Sequence, residues 1–275
     1  LGIKKQDLIR GGRYHNFSDM MALPVKGHAD LREQALPPLQ HPGLSGVADP
    51  FAVIRTADQL VHFPYHDFRV VTDLLRRSAR DPAVKSISIT LYRVARGSLV
   101  CEALLDAVRA GKKVTAFVEV QARFDEGNNL FWGEALEQAG AHVIYSHEGL
   151  KVHCKLCLIE RREGGHTRRY GWLGTGNFNE KTAQIYGDIG LLTASEPLAR
   201  DVLIVFAPLR DPRKPLATKH LLTAPTGLRS GLERLIDREI ANALSGKAAA
   251  ILLKLNSLED RPLIRKLYDA SRAGV

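Results

Sequence analysis

Hydrophobic residues from about position 65 onward form an alternating order of helix-like and strand-like segments. Phe68, Val71, Leu74 and Leu75 have the spacing of an amphipathic helix, which Asp81-Pro82 ends. Short buried strands then alternate with helices that are closed by glycine. The predicted strands are 85–92, 114–120, 142–145 and 188–193, and the predicted helices are 99–110, 129–139 and 197–206. This alternation predicts an α/β sandwich with a largely parallel sheet, in which ligands bind beyond the carboxyl ends of strands.

Both ends of the chain have a different pattern. Residues 1–62 have little periodicity and several proline- and glycine-rich loops, so we expect residues 1–50 to be the end of a preceding domain and a linker. Residues 51–207 are the predicted first α/β domain. Residues 208–275 are predicted to begin a second one, with helix 228–244, strand 248–255 and helix 261–271. Because the chain has no initiating methionine and stops within a pattern, we expect a fragment of a longer protein.

One stretch combines a histidine and a lysine with an anion-binding type of turn. His153 and Lys155 alternate with apolar residues, which predicts a strand that carries both on one face. A returning strand after Arg161–Arg169 would lead to Gly174-Thr175-Gly176-Asn177, whose N–H groups suit an anion. A neutral imidazole is a nucleophile toward phosphorus, and an ammonium group stabilises the charge on phosphate oxygens. The stretch therefore predicts a phosphoryl-transfer site with His153 as the nucleophile and Lys155 beside it.

Further basic and polar residues are candidates for binding phosphate. Arg93 and Arg123 each follow a predicted strand, and two arginines at one edge of a sheet favour bidentate phosphate binding over a solvated cap. Lys151 either binds phosphate or faces solvent. Asn177 either binds phosphate or closes its own turn. Tyr186 is either a core residue or a residue that stacks on a base.

Composition narrows the classes of function. The 275 residues carry a formal net charge of +9, which favours a polyanionic partner. Few aromatic residues stand among the basic ones, which argues against single-stranded nucleic acid. No P-loop sequence is present. The three cysteines favour a reducing compartment over a disulfide framework, and Cys154 and Cys157 lack the second pair of ligands that a zinc site needs.

Six segments of the sequence form a set: His62-Phe63-Pro64-Tyr65-His66-Asp67-Phe68, Thr90-Leu91-Tyr92-Arg93, Ala122-Arg123-Phe124-Asp125-Glu126-Gly127-Asn128-Asn129, Gly149-Leu150-Lys151-Val152-His153-Cys154-Lys155, Gly174-Thr175-Gly176-Asn177-Phe178-Asn179 and Leu253-Lys254-Leu255-Asn256-Ser257-Leu258-Glu259-Asp260. Taken together, these segments resemble the bacterial polyphosphate kinase family, whose catalytic half is built from two phospholipase D-like domains. Glu160 departs from the His-x-Lys-x4-Asp pattern of the phospholipase D superfamily, and we leave it out of the catalytic set.

The resemblance implies a phospholipase D-like α/β sandwich with a mixed sheet, followed by the start of a second similar domain. It implies reversible transfer of the terminal phosphate of ATP to inorganic polyphosphate through a phosphohistidine at His153. Arg93 and Arg123 would lie near the phosphates and Mg²⁺, and Tyr186 would contact the nucleotide. An arginine cannot ligate a cation, so we expect both to hold phosphate oxygens. The expected partners are ATP, ADP and polyphosphate in a cytoplasmic homo-oligomer, with peripheral membrane association left open.

Two other functions remain open at this stage. The first is a phospholipase D-like phosphodiesterase or nuclease, which would cleave phosphodiesters without ATP. The second is a non-catalytic module that binds polyanions, for which His153 would be dispensable. Because the resemblance assigns part of the active site to segments outside these 275 residues, we expect the chain alone to hold half of the site and to turn over poorly.

Overall fold

The computed structural model describes residues 3–8, 11, 27–31, 33–34, 36–120, 126–146 and 151–275. The chain divides into two compact units, Leu1–Pro37 and Pro38–Val275. The described part of the first unit contains two short 3-10 turns, Lys5–Asp7 and Ala29–Leu31.

A seven-stranded mixed sheet forms the centre of the second unit, in the order β1-β7-β6-β5-β2-β3-β4. The mixed α/β sandwich that the resemblance implied is confirmed. The expectation of a largely parallel sheet is wrong, because only β2, β3 and β4 run parallel and the remaining neighbours pair antiparallel. The strands are β1 Gln59–Phe63, β2 Val84–Leu91, β3 Lys113–Val118, β4 His142–Tyr145, β5 Lys155–Glu163, β6 His166–Gly174 and β7 Asp188–Thr193.

The hairpin between β5 and β6 explains the antiparallel half. Gly164 and Gly165 both have positive φ, +53° and +85°, as the tight turn of a two-residue hairpin requires. The strands therefore extend further than expected, and Arg161 lies within β5, where it forms ion pairs with Asp81 and Glu163. The connection between the two strands, which we expected to span Arg161–Arg169, is reduced to those two glycines.

Helices cover both faces of the sheet. Those on one face share a core with the strands that includes Leu104, Ile89 and Tyr170, each almost fully buried. On the other face, α5 packs Val202 and Phe206 against the sheet in a second apolar cluster. The helices on the first face are α1 Pro50–Thr56, α2 Arg69–Arg80, α3 Leu99–Arg109 and α4 Glu126–Ala139, and α5 is Glu196–Arg210. The predicted helices and strands between residues 69 and 210 are confirmed to within a few residues at their ends.

Two elements before residue 65 were missed by the sequence analysis. The side chain of Asp49 accepts a hydrogen bond from Ala52 N at 3.2 Å, and Pro50 occupies the first position of α1, a common start of a helix. Strand β1 buries Val61 and Phe63 and exposes its alternate residues, as an edge strand does. Both elements are short, so their periodicity is weak.

The last part of the chain forms two helices, α6 Leu228–Leu244 and α7 Arg261–Arg272, which bury Ile236, Leu263 and Ala270 between them. The predicted strand 248–255 is wrong, because this segment pairs with no strand in the described structure and Leu252 is 98% exposed. A strand needs a neighbour to satisfy its backbone, and hydrophobic pattern alone does not supply one. None of the helices in the described ranges is long and apolar enough to span a membrane.

Candidate active site

The candidate site lies where β2 and β3 end and β5 begins. Because β5 runs antiparallel to β2, the start of β5 lies beside the end of β2. The side chain of Thr90 continues this pairing past the regular strands: its hydroxyl donates to Cys154 O at 2.8 Å and accepts from Leu156 N at 3.0 Å. The topology thereby brings the segment that contains His153 next to Arg93, which lies 60 residues earlier in the sequence.

His153 and Lys155 do not share the face of a strand as expected. Strand β5 begins at Lys155, and His153 lies in the irregular segment before it. The imidazole is exposed, whereas the lysine is only 4% exposed. The ammonium group of Lys155 donates a hydrogen bond to the carbonyl oxygen of His153. The two residues are therefore coupled through this bond rather than through the alternation of a strand.

The ring of Tyr92 is the centre of a cluster of cations. The imidazole of His153 meets this ring edge-on, with centroids 4.9 Å apart. The amine of Lys155 lies 4.9 Å from the ring centroid, that of Lys151 lies 5.6 Å away and the guanidinium carbon of Arg93 lies 5.8 Å away. All three distances are within the range of cation–π attraction. The phenol ring thus holds three positive groups close to one exposed imidazole.

Burial and nearby charges change the pKa values of His153 and Lys155. Desolvation lowers the pKa of His153 below its ordinary 6.5, and the nearby charges of Lys155, Lys151 and Arg93 lower it further. Desolvation also lowers the pKa of Lys155 to about 8, although Cys154 and Asp188 act in the opposite direction. The imidazole is therefore neutral near pH 7, as a nucleophile must be, and the lysine is still mostly protonated.

The chain bends after β6 where the glycine turn was predicted, and Asp188 supports this bend. Thr175 Oγ1 donates to Asp188 Oδ1 at 2.7 Å, and a Cβ at Gly176 would lie 2.5 Å from the other oxygen of this carboxylate. Asn179 Nδ2 donates to Arg93 O at 3.2 Å, which ties the turn to the end of β2. The carboxamide oxygen of Asn177 is buried and has no hydrogen-bond partner among the described residues.

The other residues discussed in the sequence analysis differ in exposure and in position relative to the cluster. Lys151 and Tyr186 are both exposed, and the alternative that Tyr186 belongs to the core is wrong because 56% of it is accessible. Arg123 lies outside the described residues. Glu160 points away from the cluster: its carboxylate accepts from Ser86 Oγ at 2.7 Å and from Arg169 Nε at 3.1 Å. Its omission from the catalytic set agrees with this position.

Sequence reasoning missed Tyr92, Asp188 and Glu119 as parts of the site. Glu119 is 1% exposed and accepts a hydrogen bond from Val152 N at 3.0 Å, directly before His153. A carboxylate next to the apolar strand β3 was a signal that could have identified it, because buried charges need partners. Tyr92 and Asp188 gave no such signal, since their relevance depends on contacts that are distant in sequence.

The described side chains suit an anion rather than a metal ion. No group of three or more histidine, cysteine, aspartate or glutamate side chains with the geometry of a metal site occurs in the described ranges. Cys154 and Cys157 are unpaired, and burial raises the pKa of both thiols, to about 11 and about 12. Neither cysteine is therefore a thiolate ligand near neutral pH.

Comparisons with known proteins give a consistent result. Residues 49–215 match the family model "Polyphosphate kinase C-terminal domain 1", and residues 221–275 match "Polyphosphate kinase C-terminal domain 2". A polyphosphate kinase of Vibrio vulnificus (strain YJ016) is 50% identical over 98% of this chain and 38% of its own length. The polyphosphate kinase of Escherichia coli (strain K12) is 45% identical over 100% of this chain and 40% of its own length.

A solved structure has the same fold. The crystal structure of polyphosphate kinase from Porphyromonas gingivalis superimposes with a TM-score of 0.83 at 40% sequence identity, over 97% of this chain and 44% of that one. This chain thus spans about two fifths of the length of the curated relatives that it matches.

Proposed function

Because the chain belongs to the polyphosphate kinase family, we propose that it supplies, at His153, the phosphohistidine through which the terminal phosphate of ATP is transferred reversibly to inorganic polyphosphate, and that it holds half of the active site for this reaction. The observation that carries this proposal is the exposed imidazole of His153 beside three cations that surround Tyr92. A neutral, accessible imidazole in a cationic setting suits attack on a polyphosphorylated, negatively charged substrate.

The first half-reaction forms one bond and breaks one. A ring nitrogen of His153 donates its lone pair to the terminal phosphorus of ATP, the bond from that phosphorus to the bridging oxygen breaks, and ADP leaves with the electron pair. In the second half-reaction a terminal oxygen of polyphosphate attacks the same phosphorus, and the imidazole leaves. Both steps are reversible because each exchanges one P–N bond with one P–O bond.

The cations around Tyr92 would stabilise the charge that develops on the transferred group. Lys155, held at the carbonyl of His153, is close to the nucleophile and mostly protonated at neutral pH. Arg93 supplies a planar, permanently charged group that suits phosphate oxygens. Lys151 is exposed and suits an incoming polyanion. Electrostatic stabilisation of this kind is commonly the largest contribution to phosphoryl transfer.

Other residues complete the proposed substrate site. Asn177, in the glycine turn, would donate its amide hydrogens to phosphate. Tyr186 would stack on the base of the nucleotide, which its 56% exposure permits. Arg123 is proposed to bind phosphate by the family resemblance, since it lies outside the described residues.

No group of three or more histidine, cysteine, aspartate or glutamate side chains among the described residues could hold Mg²⁺. The side chains that face His153 are cationic, and they fit phosphate oxygens but not a metal ion. The Mg²⁺ in the proposal is therefore the one that accompanies the phosphates of ATP, and no step of the mechanism depends on a protein-bound ion.

The cellular location, oligomeric state and partners of the protein are also part of the proposal. We propose a cytoplasmic homo-oligomer with ATP, ADP and polyphosphate as partners, and we leave peripheral membrane association open. The reducing cytoplasm is supported by Cys101, Cys154 and Cys157, which form no disulfide.

Labelling with γ-labelled ATP tests the proposal on the full-length protein. We expect acid-labile, alkali-stable label on the wild-type protein, and its loss in His153→Ala. Glu160→Gln is the control, because Glu160 points away from the cluster, and it should still be labelled. Cleavage of a phosphodiester in the absence of ATP, or label that persists in His153→Ala, would contradict the phosphohistidine mechanism.

A further inference from the structure

Glu119 makes hydrogen bonds with three other parts of the chain next to the candidate site. Glu119 follows β3 and is 1% exposed. One carboxylate oxygen accepts from Ser146 Oγ, which follows β4, at 2.7 Å, and the other accepts from Val152 N at 3.0 Å. The backbone N–H of Glu119 donates to Leu91 O, at the end of β2, at 2.9 Å. One residue thus connects the ends of three parallel strands with the segment that presents His153.

Asn129 of α4 extends this network to Tyr92. Its side chain is fully buried, and its amide nitrogen donates to Glu119 O at 2.7 Å and to Tyr92 O at 2.6 Å. Its amide oxygen accepts from Val94 N at 3.1 Å. The backbone on both sides of Arg93 is therefore held by the same buried amide that holds Glu119.

Side chains rather than a strand ladder fix the segment 151–154. Its backbone is irregular, and the regular pairing of β5 starts only at Lys155. Val152 N is held by Glu119 on one side of His153, and Cys154 O is held by Thr90 on the other. The position of the imidazole relative to Tyr92 consequently depends on these two bonds and on the bond from Lys155 to His153 O.

We infer that Glu119 is a positioning residue for phosphoryl transfer, whose buried carboxylate holds the backbone before His153 so that the imidazole stays beside Tyr92 and Lys155. This inference rests on the proposed function. Glu119 does not need to touch the substrate, because it acts through Val152. A carboxylate is suited to this task, since its two oxygens can accept from Ser146 and from Val152 at the same time.

The variants Glu119→Ala and Glu119→Gln separate positioning from charge. Alanine removes both acceptors and leaves Val152 N without its carboxylate partner, so the segment is free to shift. Glutamine keeps an oxygen for Val152 N, and its amide can donate to the hydroxyl of Ser146. We therefore expect Glu119→Gln to stay close to the wild type and Glu119→Ala to be impaired.

Asp201 provides a matched control. It is a second buried carboxylate, 2% exposed, and it accepts from the backbone N–H groups of Lys219, His220 and Leu221. It lies on α5, and its hydrogen bonds among the described residues go to residues 219–221, outside the candidate site. Asp201→Ala should cost stability of a similar kind without altering the chemical step.

Single-turnover phosphorylation of the full-length protein, normalised to the fraction of folded sites, is the first measurement. Misplacing a reacting group by about 1 Å costs roughly 100-fold in rate, so we expect Glu119→Ala to slow phosphohistidine formation by roughly 10- to 100-fold. The concentration of ATP that gives half the maximal rate should change by less than about 3-fold, because Glu119 does not bind ATP. Glu119→Gln and Asp201→Ala should keep the wild-type rate constant.

The titration of His153 by NMR is the second measurement, and it requires no turnover. In Glu119→Ala the imidazole would move toward solvent and away from Lys155, so its pKa should rise toward the ordinary value of about 6.5. In Glu119→Gln and Asp201→Ala the pKa of His153 should equal that of the wild type. If Glu119→Ala does not fold, Ser146→Ala takes its place. We then expect a smaller rise in the pKa of His153 and a smaller decrease in the rate of phosphohistidine formation.

Each outcome decides the inference. It is overturned if Glu119→Ala keeps both the rate constant and the His153 titration of the wild type, if only the affinity for ATP changes, or if Asp201→Ala is impaired equally. A wild-type protein that forms no phosphohistidine would refute the proposed function instead. The NMR titration would then still show whether Glu119 positions His153.

Discussion

The imidazole of His153 meets the ring of Tyr92 edge-on, with centroids 4.9 Å apart and planes inclined by 74°. Tyr92 is 6% exposed, whereas His153 is exposed, so a buried ring contacts an accessible imidazole. The same ring attracts Lys155, Lys151 and Arg93, whose mutual repulsion would otherwise drive them apart. Tyr92 therefore arranges the cations around the nucleophile, although it is not charged itself.

Replacing Tyr92 by phenylalanine or leucine tests whether the ring is what matters. Tyr92→Phe keeps the aromatic face and should retain most of the rate of phosphohistidine formation. Tyr92→Leu removes the cation–π attraction, worth about 0.5–2 kcal/mol for each cation, and should slow the reaction by roughly 10-fold. The initial rate of labelling by γ-labelled ATP measures both. Equal rates in the two variants would show that the ring face is not required.

The pKa values of His153 and Lys155 predict a bell-shaped dependence of labelling on pH. Burial and nearby cations lower the pKa of His153, so the neutral nucleophile predominates above pH 6.5 and is lost only as the pH falls below that lowered pKa. Lys155 has a pKa lowered to about 8, so its positive charge is lost as the pH rises through about 8. We expect a maximum between these limits.

The variant Lys155→Arg assigns the basic limb of this profile. An arginine stays protonated throughout the accessible range, so the decline above about pH 8 should disappear even if the maximal rate is lower. Initial rates between about pH 5 and pH 10 measure the profile. A basic limb that persists unchanged in Lys155→Arg would assign it to another group.

The sequence predicted several residues of this candidate site but not how they are arranged. The spacing of His153 and Lys155 and the glycine turn at 174–177 are local. Periodicity predicted most of the surrounding strands and helices, but it placed His153 within a strand that begins only at Lys155. The contacts that organise the site are not local, since Thr90 Oγ1 bonds to Cys154 O, 64 residues away. No pattern in a single sequence shows that Glu119 reaches Val152, because that depends on the order of strands in the sheet.

Asp201 gives a prediction about stability and its dependence on pH. Burial alone would raise the pKa of this carboxylate, but the N–H groups of Lys219, His220 and Leu221 outweigh it, and the pKa is lowered. The ionised form is thus favoured in the folded state. Its contribution to stability is present above the ordinary pKa of 3.8 and is lost as the pH falls through the lowered value.

Thermal unfolding of Asp201→Ala measures this contribution. Hydrogen bonds to a charged group contribute about 1.5–3 kcal/mol, so the variant should unfold several degrees below the wild type at neutral pH. The difference in unfolding temperature should become smaller in acid, where the wild-type carboxylate is protonated and has lost its charge. A difference that is the same at neutral and strongly acidic pH would rule out the charge of Asp201 as its source.

Gly176 is predicted to be irreplaceable in the turn after β6. A Cβ there would lie 2.5 Å from Asp188 Oδ2 and 2.9 Å from Asp188 Cβ, and Asp188 cannot retreat easily because it is bonded to Thr175 and paired in β7 with Phe63. Gly176→Ala should therefore displace the turn that carries Asn177, at a cost of about 1–3 kcal/mol in stability.

Gly97→Ala is the control for this substitution, because a Cβ at Gly97 would meet nothing within 4 Å. We expect Gly176→Ala to reduce labelling of His153 by roughly 10-fold or more, since the displaced turn would no longer hold Asn177 in the position proposed for binding phosphate, and Gly97→Ala to label like the wild type. Crystal structures of the two variants would locate the displaced turn. If Gly176→Ala labels normally and its turn is unmoved, the close approach of Gly176 to Asp188 has no part in shaping the site.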